Sequence, residues 1–480
     1  MLHKKPDDQL SIDDFKLPFE GDIKADNRWV KMAEVIPWDK IEENYAQLFK
    51  NNVGNVAKPA RMALGALIIK EKCGYSDEET VLQIQENPYL QYFIGFKEYT
   101  QEQPFDPSLM VYFRKRFGLD NISAINEMIA GIEKEDQDED DDNDEGTPKN
   151  KGTMLLDATC APSDIRYPTD ISLLGEAREK TEKIIDTLYA PFKGTIKKPR
   201  TYRQKARKRY LAVSKKRKVK AKQMHKAVGQ QLRYLARNFK HIEKLRALNQ
   251  GKPLTEPLQK ELSVIKTLYE QQKQMHKDKC HSVKDRIVSI SQPFVRPIVR
   301  GKVKSPTEFG AKINISLVDG YAFIENLSWD NYHEGSTFIP AVENYKRLRG
   351  YYPAVICADA IYRNRDNLRF CKEKGIRLSG PRLGRPPKHI AASEKRLTRQ
   401  DSKKRNEIEA TFGVGKRRYG LNLVMAKLQQ TSETVIGLQF LVMNLERRMR
   451  LLFVLFSKSV FHRFKAMLSR LRLQLSPVNA

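Results

Sequence analysis

The chain has 480 residues, and its 87 Lys and Arg against 59 Asp and Glu give a formal net charge of +28. This length allows two or three domains with sizeable cores, and the basic excess indicates a polyanionic partner, most simply nucleic acid. No uninterrupted apolar run approaches the roughly 18 residues that span a bilayer, and no apolar signal region opens the chain. We therefore expect a cytoplasmic protein without a membrane partner. Five widely spaced cysteines favour reduced thiols over disulfide bonds or a zinc site.

Residues 1–132 are predicted to form an all-helical domain. Apolar residues recur at helical spacing, and Ser76 with Glu79 has the pattern of a capping box at one helix start. The last helix begins near Ser108 and carries the basic run Arg114–Arg116. Two roles remain open for this module: a helix-turn-helix relative that reads a DNA groove, or a packing or dimerisation domain.

An acidic stretch separates this module from the rest of the chain. Residues Glu133–Glu145 contain ten carboxylates and no apolar side chain. Such a segment repels itself and cannot bury a core. We therefore predict a disordered linker at residues 133–150.

Residues 151–428 are predicted to form an α/β domain. An Asp319-Gly320 pair between two alternating runs predicts a β-hairpin. Further short apolar runs predict strands, so that the expected set is Met154–Leu156, Gly310–Val318, Tyr321–Leu327, Ala354–Ala358 and Ile376–Ser379. Residues from about 164 to 300 read as a helical insertion between the first two of these strands. Long helices are predicted at Glu433–Ser457 and Phe461–Gln474, within a C-terminal region of residues 429–480.

The insertion is densely basic between Lys197 and Lys222. We predict that Arg203, Arg207, Lys216 and Arg217 line DNA phosphates at helical spacing, a contact that weakens as salt rises. A solvated basic coil is the alternative.

A second basic segment, Pro381–Arg399, is rich in Pro and Gly. Its Arg385 is a candidate for insertion into a DNA minor groove. A plain surface loop would have the same composition.

The segment Lys403–Leu421 reads as a helix with an unusual face. Arg405, Glu409, Phe412 and Lys416 follow one another at intervals of four, three and four, and therefore share that face. A carboxylate between two cations suits a site where metal and phosphate meet. An Arg–Glu pair on a solvated surface is the simpler alternative.

Two aspartates are predicted at the ends of buried strands. Asp157 follows Met154–Leu156, and Asp359 follows the run VICA. Either residue alone would be an ordinary turn or cap residue, but functional groups gather at the carboxyl ends of strands in open sheets. Three carboxylates brought together with Glu409 would repel one another unless cations neutralised them. Their hard oxygen atoms suit two Mg²⁺ or Mn²⁺ ions that serve phosphoryl transfer.

Three segments carry a resemblance to a known family: LLDATCAPSDIRYPTDISLL, ICADAIYRNRDN and RNEIEATFGVGKRRYGL. They resemble bacterial insertion-sequence transposases of the DDE class, in the IS-four and IS-five superfamily, and the N-terminal module resembles that of the IS-five type. The family signature is Tyr, two residues, Arg, three residues, Glu, six residues, Lys. Arg405, Glu409 and Lys416 satisfy it, whereas Ser402 stands at the tyrosine position. Lys312 matches a lysine often found on the second strand.

The resemblance implies a ribonuclease H-like catalytic domain with Asp157, Asp359 and Glu409 as catalytic and metal-binding residues. It also implies that Arg405, Lys416 and Lys312 contact DNA. The expected partners are double-stranded terminal inverted repeats and target DNA, with a homodimer in the active complex of a nucleoid-associated bacterial protein. Two other classes stay open: a catalytically inactive, transposase-derived DNA-binding protein, and a metal-dependent nuclease without strand transfer.

Overall fold

The computed structural model describes residues 16, 21–49, 54–131, 150–249, 253–299, 307–381, 383–384 and 392–474, with side chains up to 454. The acidic stretch at 133–145 and Arg385 lie outside the described residues, so the predictions made for them stay predictions. Among the described residues, no helix combines the length and apolar character needed to cross a bilayer.

The described N-terminal residues fold mainly into α-helices. Asn27 and Ser76 cap two of them by accepting hydrogen bonds from the backbone amides of Trp29 and Glu79, and Gly74 ends another in a left-handed conformation with φ of 73°. The predicted helix start at Ser76 is therefore confirmed. The helices are α1 (Arg28–Val35), α2 (Trp38–Ala46), α3 (Ala60–Cys73), α4 (Asp77–Glu86), α5 (Pro88–Phe93) and α6 (Leu109–Ile129).

One mixed sheet of six strands forms the centre of the remaining chain. Its order is β2-β3-β1-β5-β6, and β4 pairs with β3 beside β2. The β1–β3, β2–β3 and β3–β4 pairs are antiparallel, whereas β1–β5 and β5–β6 are parallel. The strands are β1 (Thr153–Pro162), β2 (Arg296–Val299), β3 (Thr307–Val318), β4 (Tyr321–Ser328), β5 (Val355–Ala358) and β6 (Arg377–Leu378).

The predicted hairpin is confirmed, but the first strand is longer than expected. Asp319 and Gly320 have φ of 51° and 77°, as a two-residue hairpin turn requires. In contrast, β1 does not end before Asp157. It continues to Pro162 because its small, weakly apolar residues still pair with β3. Strand β2 was not predicted from the sequence.

Four helices occupy the chain between β1 and β2, where the insertion was predicted. They pack on one another around their own apolar residues. Arg203 and Arg207 lie on one helix, whereas Lys216 and Arg217 lie beyond its end, in the connection to the next helix. The expected helical spacing is therefore wrong for Lys216 and Arg217. The helices are α7 (Asp170–Tyr189), α8 (Arg203–Ser214), α9 (Ala221–Leu248) and α10 (Glu256–Asp278).

The remaining helices cover the sheet. Helix α13 packs against β1 and β5, and α14 packs against α6, α3 and β4. The prediction of two separate C-terminal helices is wrong, because the backbone of α14 stays helical through Ser457–Val460. The helices are α11 (Phe338–Arg349), α12 (Arg365–Glu373), α13 (Ala392–Arg418) and α14 (Gln429–Gln474).

Candidate active site

Asp157 lies in the middle of β1, opposite Ile315 of β3. Side chains alternate along a strand, so Asp157 shares the sheet face of Leu155. Leu155 belongs to the same apolar core as Ile408 of α13, which places Asp157 on the side of the sheet that α13 covers. The Oδ1 atom of Asp157 accepts a hydrogen bond of 2.8 Å from the backbone N–H of Ala158.

Asp359 and Glu409 lie on either side of one guanidinium group. Asp359 directly follows β5 and caps a short 3₁₀ turn, Ala360–Tyr362, by accepting a hydrogen bond from the amide of Ala360. Arg405 Nη1 lies 3.0 Å from Asp359 Oδ1, and its Nη2 lies 3.5 Å from Glu409 Oε1. The helix that carries Arg405 and Glu409 is therefore joined by the Arg405–Asp359 ion pair to the end of the central parallel strand.

The electrostatic environment of Asp157 is short of positive charge. Burial makes the largest contribution, and together with the neighbouring Glu334 and Asp359 it raises the pKa of the Asp157 carboxyl to about 6, against the opposing effects of the Ala158 amide and Arg405. Its ionised form is therefore less stable here than in water. An additional cation beside Asp157 would offset this cost.

The donor chemistry of this edge fits a hard divalent cation. Asp157, Asp359 and Glu409 supply only carboxylate oxygens, the ligands that Mg²⁺ and Mn²⁺ prefer. Within the described part of the chain, no three His, Cys, Asp or Glu side chains are grouped closely enough to hold an ion. Arg405 stands between two of the carboxylates, so a metal that used both would require the guanidinium to give up at least one ion pair.

A second ion pair anchors α13 to the sheet. Arg377 of β6 donates two hydrogen bonds, of 2.7 and 2.8 Å, to the two carboxylate oxygens of Asp401. Asp401 is only 8% exposed and lies on the same buried side of the helix as the apolar residues Ile408 and Phe412. Polar contact at one end and apolar contact along its length thus fix the position from which Glu409 projects.

Three polar residues around this edge were not predicted from the sequence: Tyr362, Asn314 and Glu334. Tyr362 is fully buried and donates a hydrogen bond of 2.8 Å to Asn314 Oδ1. Glu334 pairs with Lys312 at 3.0 Å, so Lys312, predicted to contact DNA, is instead engaged within the protein and is 9% exposed. Tyr362 lies within the motif ICADAIYRNRDN, so the motif could have marked it as a residue of the site. Glu334 begins a short 3₁₀ turn, Glu334–Thr337, which is too short to show any periodicity in the sequence.

The other predicted DNA contacts occupy different environments. Arg203 is held by Asp186 through two hydrogen bonds of 3.0 and 2.8 Å. Arg207, Lys216 and Arg217 are exposed on the insertion. Lys416 lies half-buried in the last turn of α13.

Comparison with known proteins identifies two matching families. A model described as a Transposase DDE domain matches residues 356–446, which include Asp359 and Glu409. A model described as a Transposase domain (DUF772) matches residues 17–116, the N-terminal helices.

A relative of similar sequence is the "Uncharacterized protein ORF8 in nfe locus" of Rhizobium meliloti. It is 33% identical over 144 residues, which cover 30% of this chain and 66% of that relative. No solved structure is a significant match to the chain. The two transposase models match separate parts of the chain, the N-terminal helices and the segment that carries the Arg405 ion pairs, and the chain belongs to the insertion-sequence transposases of the DDE class.

Proposed function

We propose that this protein binds the terminal inverted repeats of its element, cleaves the element ends and joins them to target DNA. Asp157, Asp359 and Glu409 are the carboxylates of the reaction. The observation that carries the proposal is the pair of contacts from Arg405 to Asp359 and Glu409, on the sheet face that also holds Asp157.

The sheet order supports a ribonuclease H-like catalytic domain. An antiparallel run of β4, β3 and β1 continues into the parallel strands β5 and β6. We propose that this domain spans residues 151–428, with the basic insertion at about 164–300. The N-terminal domain would comprise residues 1–132, the linker 133–150 and the C-terminal helices 429–480.

The proposed reaction has two displacements at phosphorus. Water attacks the phosphodiester at the element end, the bond from phosphorus to the 3′ oxygen breaks, and a 3′ hydroxyl is released. That hydroxyl then attacks a target phosphodiester, forms a new ester and releases a target 3′ hydroxyl. Two Mg²⁺ or Mn²⁺ ions held by Asp157, Asp359 and Glu409 would stabilise charge on the attacking and leaving oxygens.

The cations of the site serve to hold DNA. Arg405 is positioned to bind a phosphate when metal ions engage its carboxylate partners, and Lys416 lies about three turns further along the same helix. The exposed Arg207, Lys216 and Arg217 would contact phosphates more remote from the reaction. Two element ends are joined in one event, so the active complex is proposed to be a homodimer.

The test uses purified protein, a labelled terminal-repeat duplex, Mg²⁺ and a target plasmid. We expect Glu409→Gln to abolish end cleavage and strand transfer, because it removes the charge that would hold metal while keeping the side-chain size. End binding should survive, since binding energy comes mainly from phosphate contacts. Glu407→Gln is the matched control, because Glu407 is exposed on the same helix about 200° around its axis.

Four outcomes would count against the proposal. Normal cleavage by Glu409→Gln would remove Glu409 from the carboxylate set, and loss of activity in Glu407→Gln alone would move the set to that residue. Cleavage without joining by the wild-type protein would indicate a nuclease. Specific end binding without cleavage would indicate an inactive DNA-binding relative.

A further inference from the structure

The chain re-enters the described structure at Asn150, on a surface formed by the C-terminal ends of α11 and α12. The side-chain amide of Asn150 donates a hydrogen bond of 2.7 Å to the carbonyl oxygen of Lys374, just after α12. The backbone N–H of Lys151 donates one of 3.0 Å to the carbonyl oxygen of Tyr352. These contacts fix the point at which the acidic stretch Glu133–Glu145 is attached to the sheet-containing part of the chain.

Three lysines surround this point and lie over two tyrosine rings. Lys346 Nζ and Lys374 Nζ lie 4.6 and 5.7 Å from the ring centroid of Tyr352, and Lys151 Nζ lies 5.6 Å from that of Tyr351. All three lysines are exposed, and among the described residues no carboxylate forms an ion pair with them. We call Lys151, Lys346 and Lys374 the lysine patch.

The other end of the acidic stretch also lies beside α11. Glu127, near the end of α6, pairs at 2.9 Å with Arg347 of α11, and Tyr345 of α11 donates a hydrogen bond of 3.0 Å to the carbonyl oxygen of Lys151. The chain thus leaves and re-enters the described structure beside one helix, whose 12 residues span about 18 Å. The 18 residues at 132–149 can extend over roughly 60 Å, so most of their length is not needed to connect the two ends.

The acidic stretch complements the lysine patch in charge. Glu133–Glu145 holds ten carboxylates and one lysine. At the patch itself, Glu343 accepts a hydrogen bond of 3.0 Å from the Tyr352 hydroxyl and offsets only part of the positive charge. Glu145 precedes Lys151 by six residues, a separation of at most about 20 Å. So short a tether gives the acidic stretch an effective concentration in the millimolar range, which is an advantage over a separate DNA molecule.

We propose that the acidic stretch Glu133–Glu145 binds the lysine patch of its own chain and excludes DNA phosphates from it. Tyr352 precedes β5 and Asp359 follows it, so the patch lies at the opposite end of that strand from the candidate active site. Shielding the patch directs DNA away from this end and towards the exposed cations of the insertion. The inference concerns access of DNA and does not depend on the proposed metal chemistry.

Carbodiimide cross-linking of the full-length protein, read by mass spectrometry of its peptides, tests the contact directly. The reagent joins a carboxylate to a lysine amine without a spacer, so it reports only groups that touch. At low salt we expect cross-links from Glu133–Glu145 to Lys346 and Lys374, and none to Lys266 and Lys277, which are also exposed on α10. The cross-links should be lost as added salt screens the charges.

DNA binding over a salt series, with a duplex of random sequence, provides the second measurement. In the wild-type background, Lys346→Gln/Lys374→Gln should leave the affinity and its salt slope unchanged, because the patch is already occupied. In a variant whose ten acidic side chains at 133–145 are replaced by Asn and Gln, the same pair should weaken binding and lower the slope of log affinity against log salt by about 2. Lys266→Gln/Lys277→Gln is the matched control in both backgrounds.

Several results would overturn the inference. Weaker DNA binding by Lys346→Gln/Lys374→Gln in the wild-type background would assign the patch to DNA. Equal cross-linking of the α10 lysines would show that the acidic stretch has no preferred site, and an inert lysine pair in the neutralised background would show that nothing is excluded from the patch. If the wild-type protein binds no duplex at all, the proposed function fails, while the cross-links still decide whether the acidic stretch binds the patch.

Discussion

Arg405 shows how one side chain organises the site. Its two terminal nitrogens contact carboxylates from different elements, Asp359 after β5 and Glu409 on α13. Ser402, at the tyrosine position of the family signature, donates a hydrogen bond of 2.9 Å to the carbonyl oxygen of Thr398 and contacts its own helix. The polar contacts that join α13 to the end of β5 therefore come from Arg405 rather than from position 402.

Glu325 supports a prediction about pH and stability. Burial raises the pKa of its carboxyl from 4.5 to about 7, against the hydrogen bonds from Ser316 and Asn344. A raised pKa means that the folded protein favours the protonated form, so the stabilisation is complete below pH 4.5 and is lost as pH rises through about 7. Glu325→Gln cannot ionise. Its melting temperature relative to wild type should therefore rise between pH 5 and about pH 7 and level off at higher pH.

Calorimetry at matched ionic strength measures this difference. The absolute offset at pH 5 also contains the cost of presenting an amide N–H₂ to a donor, so the pH dependence is the informative quantity. Glu407→Gln, an exposed site, supplies the control. A difference independent of pH would show that Glu325 titrates near its ordinary value in the folded protein.

At the scale of elements, the position of α13 depends on its attachment at Asp401. Both oxygens of this buried carboxylate accept hydrogen bonds from Arg377 of β6, and Asp401 lies two turns before Glu409 on the same helix. We expect Asp401→Asn to lower the free energy of unfolding by about 1.5–3 kcal/mol, the range for hydrogen bonds to charged groups. End cleavage should slow more than end binding weakens, because the change displaces Glu409 rather than the exposed basic residues.

Denaturant unfolding and single-turnover cleavage check this prediction separately. Glu407→Gln is the control on the same helix, and we expect it to alter neither quantity. If Asp401→Asn unfolded at the same denaturant midpoint as the wild type, the Arg377–Asp401 ion pair would not be what holds α13 in place.

At the scale of the whole molecule, the N-terminal helices, the sheet and α14 share one apolar core. Asn444 of α14 donates hydrogen bonds of 2.8 Å to Asn126 of α6 and to the carbonyl oxygen of Ala322 in β4. On α6, Arg114 is paired with Asp77 and Arg116 stacks on Phe49 at 4.1 Å. Two of the three cations on this helix thus face the protein, which favours packing over groove reading as the role of α6.

The exposed basic residues of the insertion support a prediction about DNA affinity. Replacing Arg207, Lys216 and Arg217 together with Gln should weaken binding to all DNA sequences and reduce the slope of log affinity against log salt by about 2–3. Arg203 is left in place because its pairing with Asp186 makes it part of the fold. Binding measured by fluorescence anisotropy over a salt series gives the slope.

The matched control removes the same charge from another helix of the insertion. Lys266, Lys273 and Lys277 are exposed on α10, and their replacement with Gln should leave the slope near the wild-type value. Equal losses in the two triple variants would mean that net charge, not the surface formed by Arg207, Lys216 and Arg217, determines DNA affinity.

The amino-acid sequence by itself determined the features that depend on neighbours along the chain. The Asp319-Gly320 turn, the cap at Ser76 and the face shared by Arg405 and Glu409 follow from local backbone preferences and helical spacing. Spacing along the helix also matches Arg405, Glu409 and Lys416 to the Arg, Glu and Lys of the family signature. These features need no knowledge of which distant segments meet.

Only the tertiary structure decided the features that depend on distant partners. Asp157 lies within a strand because the residues after it, Ala158–Pro162, also pair with β3. These residues are too weakly apolar for the sequence to predict a strand there. Lys312 meets Glu334, and Arg405 meets Asp359 across 46 residues, because the sheet brings β3, β5 and α13 to one edge. Charge pairing at that edge depends on the distances between the groups in space, and those distances cannot be predicted from their spacing along the chain.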